Sequence, residues 1–367
     1  MTRSLTYVEA LREGMRQEME RDETVFVMGE GVGLRGSAFK QTAGFYDQFG
    51  PERVRDTAIS ELAIAGAAVG AAISGMRPIA DLMWIDFTTL ACDQICNQAA
   101  KLHYVSNGQI TVPAVFRATT GHLRGQAAQH CGSWYAFYCN MPGLKVVVPS
   151  TPYNAKGLMS AAVRDDDPVI YFVHKVLLDT SGPVPEDNYV IPLGKAEIAR
   201  QGSDATVVAI GRMRVFAEEA AATLADGGID VEVVDPQSLS PLDEGTILES
   251  VKKTHRLVVV DEDTPRCSVA SDIVSLAARQ AFDYLDAPPQ VVVPDHAQEH
   301  VHGPRRGRFN RRDSLVHVER QIRHPHQHCY PPDTGGINAT VAPGGTGSSS
   351  VAYTSSTATI SVGTNRA

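Results

Sequence analysis

From Val54 onward the chain alternates short apolar runs with helix-length segments, a rhythm that few architectures accommodate. The apolar runs place strands over 77–85, 112–118, 144–148 and 168–173, and the stretches between them place helices over 87–103, 127–139 and 152–164. Repeated strand–helix–strand units of this length close into a parallel sheet with helices on both faces, so the fold class is α/β. An amphipathic helix over 6–21 and the apolar strand Val25-Phe26-Val27-Met28 come first. Pro183, Pro185, Asp187, Asn188 and Pro192 then break the rhythm. A second α/β unit follows, with strands near 205–210, 230–234, 256–260 and 290–293 and helices near 214–226, 243–252 and 268–281. The expected organisation is two doubly wound domains, 1–185 and 201–294, joined by a linker over 186–200.

Past Pro294 the pattern stops. Seven of the twelve histidines (His296, His300, His302, His317, His324, His326 and His328) crowd together beside Arg305, Arg306, Arg308, Arg311 and Arg312, and 333–367 is mostly Gly, Ser, Thr and Ala. Such a composition predicts a disordered tail over 295–367. So abrupt a change points to a shifted reading frame near the end of the gene. The cluster His324-x-His326-x-His328-Cys329 has metal-ligand residue types, but it sits in this pattern-free stretch.

Charge and cysteine usage narrow the function classes. A net charge of −9 argues against a nucleic-acid or anionic-membrane surface, both of which need clustered Lys and Arg. The first residues carry no apolar signal core, and the apolar run 62–73 is short for a membrane span and made mostly of Ala and Gly. The six cysteines include no Cys-x-x-Cys pair, which suits reduced thiols and a cytoplasmic setting. Cys92 and Cys96 lie one helical turn apart, but no second pair completes a metal site.

The stretch from Arg55 to Ile85 holds the sharpest candidate. Ser60 is a suitable N-cap, Glu61 falls in the first turn, and Ala63, Ala65, Gly66, Ala67, Ala68, Gly70, Ala71 and Ala72 let neighbouring backbones come close. Glu61 then reads either as a capping acid or as a site carboxylate at a packed interface. Gly31-Val32-Gly33-Leu34-Arg35-Gly36 matches a dinucleotide fingerprint, with Asp56 twenty residues beyond Gly36. The segment 37–50 lacks the clean helical period that such a site requires. His130, ahead of an apolar helix, is either structural or a proton-exchanging group.

Asp56-Thr57-x-Ile59-Ser60-Glu61, the small-residue helix and Gly75-x-Arg77-Pro78-Ile79 together resemble the thiamine-diphosphate site of the β subunits of 2-oxo acid dehydrogenase E1 components. That transketolase-like family includes pyruvate, branched-chain and acetoin dehydrogenases. The likeness continues through Gly29-Glu30-Gly31-Val32-Gly33, Asp93-Gln94-Ile95-x-Asn97-x-Ala99-Ala100-Lys101, Ala128-Gln129-His130, Pro142-Gly143-Leu144-Lys145-Val146-Val147, Ile191-Pro192-Leu193-Gly194-Lys195-Ala196 and Pro241-Leu242-Asp243, over about 3–293.

The resemblance implies a pyrimidine-binding domain followed by a transketolase-type C-terminal domain. It implies that Glu61 holds its carboxyl against N1′ of the cofactor's aminopyrimidine, and that His130 faces the substrate and the incoming lipoyl group. Glu30 matches an acid near the active site. Ile85 matches the position that packs on the aminopyrimidine, where family members carry Phe or Tyr. Ala114, Ala162, Val163, Asp165 and Asp167 match a structural potassium loop, beside which the reading of a solvated acidic turn stays open. Mg2+ is held in the family by a Gly-Asp-Gly segment of the α subunit, and no Gly-Asp-Gly occurs here. The implied activity is decarboxylation of a 2-oxo acid with acyl transfer to a lipoyl-bearing E2, an oxidoreductase reaction with a disulfide acceptor. The implied assembly is an α2β2 heterotetramer with an E1 α subunit. An acetoin dehydrogenase β subunit and a catalytically silent assembly subunit are the alternatives.

Overall fold

The structure is a computed structural model that describes residues 2–121, 128–293, 350–351 and 360–361. It falls into two compact units, 1–325 and 326–367. In the second unit the described residues are the two-residue strands Ser350–Val351 and Ile360–Ser361, paired antiparallel. The rest of the expected tail, with its histidine cluster, lies outside the described residues.

In chain order the elements of the first unit are β1 (Thr2–Thr6), α1 (Tyr7–Arg21), β2 (Val25–Gly29), α2 (Phe45–Phe49), β3 (Val54–Asp56), α3 (Glu61–Ile73), β4 (Arg77–Trp84), α4 (Ala100–Val105), β5 (Val115–Thr120), α5 (Ala136–Cys139), β6 (Lys145–Val147), α6 (Pro152–Arg164), β7 (Val169–His174) and β8 (Ser181–Pro185). They continue with β9 (Glu197–Arg200), β10 (Ala205–Ala209), α7 (Met213–Asp226), β11 (Val231–Asp235), β12 (Ser238–Ser240), α8 (Glu244–Thr254), β13 (Leu257–Val260), α9 (Val269–Gln280) and β14 (Gln290–Val292).

The first sheet runs β12-β6-β7-β5-β4-β2-β3 and is parallel except for β12. Successive residues of its strands serve opposite faces. Val27, Ile79 and Val115 pack under α1 and α6 through Leu11, Met15 and Leu158, while Phe26, Ala80 and Phe116 pack against Ile64 and Ala68 of α3. The second sheet runs β14-β13-β10-β11-β9, with α7 on one face and α8 and α9 on the other. The apolar layer around α3 continues into the α8 and α9 side of the second sheet, through Val208, Val234 and Val259.

Three local departures from the sequence reading matter. The strand β9 falls inside the expected linker, and β12, from the C-terminal half, joins the first sheet beside β6. The expected helix over 87–103 is instead a 3₁₀ segment (Ile85–Ala91), a π segment (Asp93–Ala99) and the short α4. The expected helix over 127–139 is reduced to a 3₁₀ turn (Ala128–His130) and α5. Irregular helix of this kind tends to occur where side chains must be aimed at a site.

Candidate active site

In the first sheet, Glu30 follows β2, Glu61 follows β3 at the start of α3, Ile85 follows β4, and His130 closes the connection that leaves β5. All four therefore lie past the C-terminal ends of parallel strands, the edge at which open α/β sheets bind ligands. The strands β5, β4, β2 and β3 are consecutive in the sheet, so this edge spans three strand spacings, about 14 Å.

Glu61 is 8% exposed, and among the described residues it makes no hydrogen bond or ion pair. Ser60, the expected cap, makes no side-chain capping bond either. The first turn of α3 thus holds a largely buried side chain whose carboxylate no other described residue engages, at the positive end of a helix. The outer side of α3 carries the exposed residues Leu62, Ala63, Ala67, Gly70 and Ile73, with Ile59 just ahead of it 73% exposed. That face has no charge and only short or aliphatic side chains.

His130 is half-buried, with its ring set edge-on to Trp84 at 4.8 Å and to Phe87 at 5.3 Å between centroids. Its carbonyl accepts from Lys175 Nζ at 2.8 Å, and the same ammonium lies 3.3 Å from Cys131 Sγ and 5.7 Å from the Trp84 ring. Two residues on, Gly132 N–H donates to Asp86 Oδ2 at 3.2 Å. Burial pushes the Asp86 carboxyl above the usual carboxylate range, against the Gly132 N–H and the charges of His130 and Lys175. Gly132 O accepts from Gly121 N–H at 3.0 Å and from Thr120 Oγ1 at 2.9 Å, which ties both feet of the β5 connection together.

Ile85 is fully buried in the apolar layer around α3, and Glu30 is half-exposed. Ile85, the first residue of the 3₁₀ segment, packs into the apolar layer around α3, and it is Trp84, the last residue of β4, that meets the imidazole. The cause is a bulge. Met83 adopts a positive φ of 61°, and the β4–β5 register jumps from Asp81↔Arg117 to Trp84↔Thr119, so Trp84 lies on the same face as Asp81. Sequence reasoning passed over Trp84, Asp86, Phe87 and Lys175. The available signal was a His174-Lys175 pair ending an otherwise apolar strand at the ligand edge of the sheet.

In the glycine-rich turn Gly33 N–H donates to Asp56 Oδ1 at 2.8 Å, Gly36 N–H to Gly33 O at 2.9 Å and Ser37 N–H to Gly31 O at 2.7 Å, so these three amides already have acceptors within the fold.

The expected potassium residues gather at the opposite, N-terminal edge of the sheet, before β5 and β7. Arg77 Nη1 donates to Val163 O at 3.0 Å and Asp165 O at 2.9 Å, and Lys145 Nζ contacts the carboxylates of Asp165 at 2.7 Å and Asp167 at 3.0 Å. Ala114 O accepts from Val169 N–H at 2.9 Å, while nothing outside its helix engages Ala162. Two side-chain cations therefore share this loop's carboxylates and two of its carbonyls. Burial pushes the Cys96 thiol up to about 11 and raises that of Cys92 too, which keeps both protonated in the free chain.

Comparison with known proteins agrees with this architecture. The family profile described as transketolase, pyrimidine binding domain matches residues 3–180, and that described as transketolase, C-terminal domain matches residues 194–305. The beta subunit of acetoin:2,6-dichlorophenolindophenol oxidoreductase from Bacillus subtilis (strain 168) is 46% identical over 308 residues, covering 81% of this chain and 90% of that one. The 2-oxoisovalerate dehydrogenase subunit beta of the same organism is 47% identical, covering 77% and 87%. The pyruvate dehydrogenase E1 component subunit beta of Rickettsia felis is 48% identical, covering 78% and 88%. A solved structure titled as a split-gene transketolase, inactive beta4 tetramer, shares the fold at a TM-score of 0.68 and 22% identity, covering 87% of this chain and 98% of that one. Profile matches to both domains and identities near one half across most of the chain lead to one conclusion: this chain belongs to the transketolase-type family of dehydrogenase E1 β subunits.

Proposed function

We propose that this chain is the β half of a thiamine-diphosphate-dependent E1 enzyme that decarboxylates a 2-oxo acid, pyruvate or a branched-chain one, and passes the acyl group to a lipoyl-bearing E2. The observation that carries the reading is Glu61. Its carboxylate stands at the ligand edge of the sheet with no partner among the described residues, and a silent assembly subunit gives no reason to place one there. It fits a ring nitrogen that shares a proton with it. When bound, thiamine diphosphate supplies the nucleophilic carbon and the electron sink for loss of CO2. Glu61 would hold the aminopyrimidine N1′ proton. His130, steadied between Trp84 and Phe87, would exchange protons with the reacting group and the lipoyl sulfur.

Mg2+ falls to the α subunit, because this chain lacks the Gly-Asp-Gly segment that would hold it. The uncharged outer face of α3, which starts at Glu61, suits close packing against a partner chain in an α2β2 assembly. Among the described residues no helix is long and apolar enough to cross a membrane, and Cys92, Cys96, Cys131, Cys139 and Cys267 are free thiols, which suits a reducing cytoplasm. The test is co-expression with the α subunit from the neighbouring reading frame, then assay of cofactor-dependent turnover on pyruvate, 2-oxoisovalerate and acetoin with a lipoyl domain as acceptor. Turnover of a 2-oxo acid supports the proposal. Turnover of acetoin alone, or cofactor binding with no turnover of any of the three, overturns it.

A further inference from the structure

Lys175 is 1% exposed, and among the described residues no carboxylate lies within ion-pair distance of it. Asp86 is near enough to feel its charge without pairing directly, and a buried ammonium with no direct ion pair is expensive, so a fold that keeps one uses it for something specific. Its hydrogen bonds go to the His130 carbonyl at 2.8 Å and the Cys131 sulfur at 3.3 Å, and its remaining side lies over Trp84. Asp86 holds the same short segment from the other end, through Gly132 N–H at 3.2 Å. Both holding groups sit on firm supports. Lys175 directly follows β7, whose last residue His174 is fixed by Nε2 on Glu262 Oε2 at 2.5 Å and by Val176 N–H on Nδ1 at 3.2 Å. Asp86 belongs to the 3₁₀ segment that also supplies Phe87 to the imidazole.

We infer that Lys175 is a positioning residue for His130: with Asp86 it grips the 130–132 backbone from two sides and so fixes where the imidazole stands at the ligand edge of the sheet. A lysine serves where an apolar residue of similar length cannot, because a carbonyl and a thiol both need a donor and only the ammonium offers several at once. The role is indirect, since Nζ contacts the backbone of His130 and not its ring.

This inference rests on the catalytic reading of His130, so the experiment separates the two. In the complex assembled with the α subunit, Lys175→Met, Lys175→Arg, His130→Ala and the double variant Lys175→Met/His130→Ala are compared for kcat and KM with a lipoyl domain as acceptor. Lys175→Met should lower kcat by about 100-fold, the usual cost of misplacing a reacting group, with little change in KM for the 2-oxo acid. Lys175→Arg should recover most of the loss, and the double variant should be no slower than His130→Ala.

The second readout needs neither cofactor nor turnover. In the cofactor-free complex, diethylpyrocarbonate should modify His130 faster in Lys175→Met than in the wild type, while the exposed His103 reacts equally in both. If Lys175→Met does not assemble, Asp86→Asn takes its place and must show the same faster modification. Additive losses in the double variant, or His130 modified at the wild-type rate, overturn the inference while leaving a catalytic His130 standing. Full activity of His130→Ala alone overturns the catalytic reading and the inference with it.

Discussion

Glu61→Gln separates stability from activity. The substitution keeps volume and shape at a site that is 8% exposed and carries no hydrogen bond that the amide would break. It removes the favourable interaction of a carboxylate with the helix N-terminus, worth about 0.3–1 kcal/mol. Among the described residues the carboxylate has no hydrogen bond or ion pair to lose. The variant should therefore match the wild type in stability to within about 1 kcal/mol, with Tm shifted by less than about 3 °C. Activity should instead fall steeply. An amide cannot share a proton with a ring nitrogen, and loss of such a group costs about 10²- to 10⁴-fold, or about 3–5 kcal/mol of barrier. The assay is hydrogen–deuterium exchange at the cofactor C2 in the assembled complex, alongside urea denaturation of the chain. Exchange at the wild-type rate would show that Glu61 is a structural acid. A loss of stability beyond about 3 kcal/mol would refute the claim that the fold leaves its carboxylate unused.

Three further outcomes are expected. His130→Ala should slow acyl transfer to the lipoyl group by about 10²- to 10⁴-fold while decarboxylation read with an artificial electron acceptor suffers less; equal losses would mean that His130 acts before the two paths diverge. At the far edge of the sheet, Arg77→Met strips the donor from the Val163 and Asp165 carbonyls and should cost about 2–3 kcal/mol in urea denaturation, whereas wild-type Tm should be the same in potassium chloride as in choline chloride. A potassium-specific rise in Tm would show that the loop takes an ion after all. The third concerns pH. Burial raises the Asp263 carboxyl from 3.8 to about 7, so between these values the folded chain holds a proton that the unfolded chain has lost. Stability contributed by this group therefore falls as pH rises from about 4 to 7, by an upper bound on the order of 4 kcal/mol. Asp263→Asn should flatten that slope and leave the variant more stable than the wild type at pH 8, as read by urea denaturation at pH 5 and pH 8; an unchanged slope would place the titration elsewhere.

The order and kind of the main elements were legible in the chain alone, because burial of a parallel sheet on both faces leaves a periodic trace. The helix read over 152–164 is α6, Pro152–Arg164, and the strand read over 25–28 is β2, Val25–Gly29. The motif around Glu61 was legible for the same local reason, since a first-turn acid ahead of a small-residue helix is written in consecutive positions. The details that aim the site were not. The bulge at Met83 turns Trp84 toward His130, and a positive φ at a methionine leaves no compositional mark. The irregular 85–99 segment looks helical in sequence because its apolar spacing survives even though its hydrogen bonds shift.

What the sequence by itself determined, then, was the class of fold and the position of one carboxylate, both consequences of short-range pattern. Tertiary structure decided the rest. Lys175 comes from just past β7 and Asp86 from beyond β4, yet both close on one segment past β5, and Arg77 reaches 86 positions along the chain to Val163. The β12 strand crosses from the C-terminal half to finish the first sheet. Such contacts depend on which strands lie side by side, and that order is chosen by the packing of whole faces rather than by any stretch of neighbouring residues.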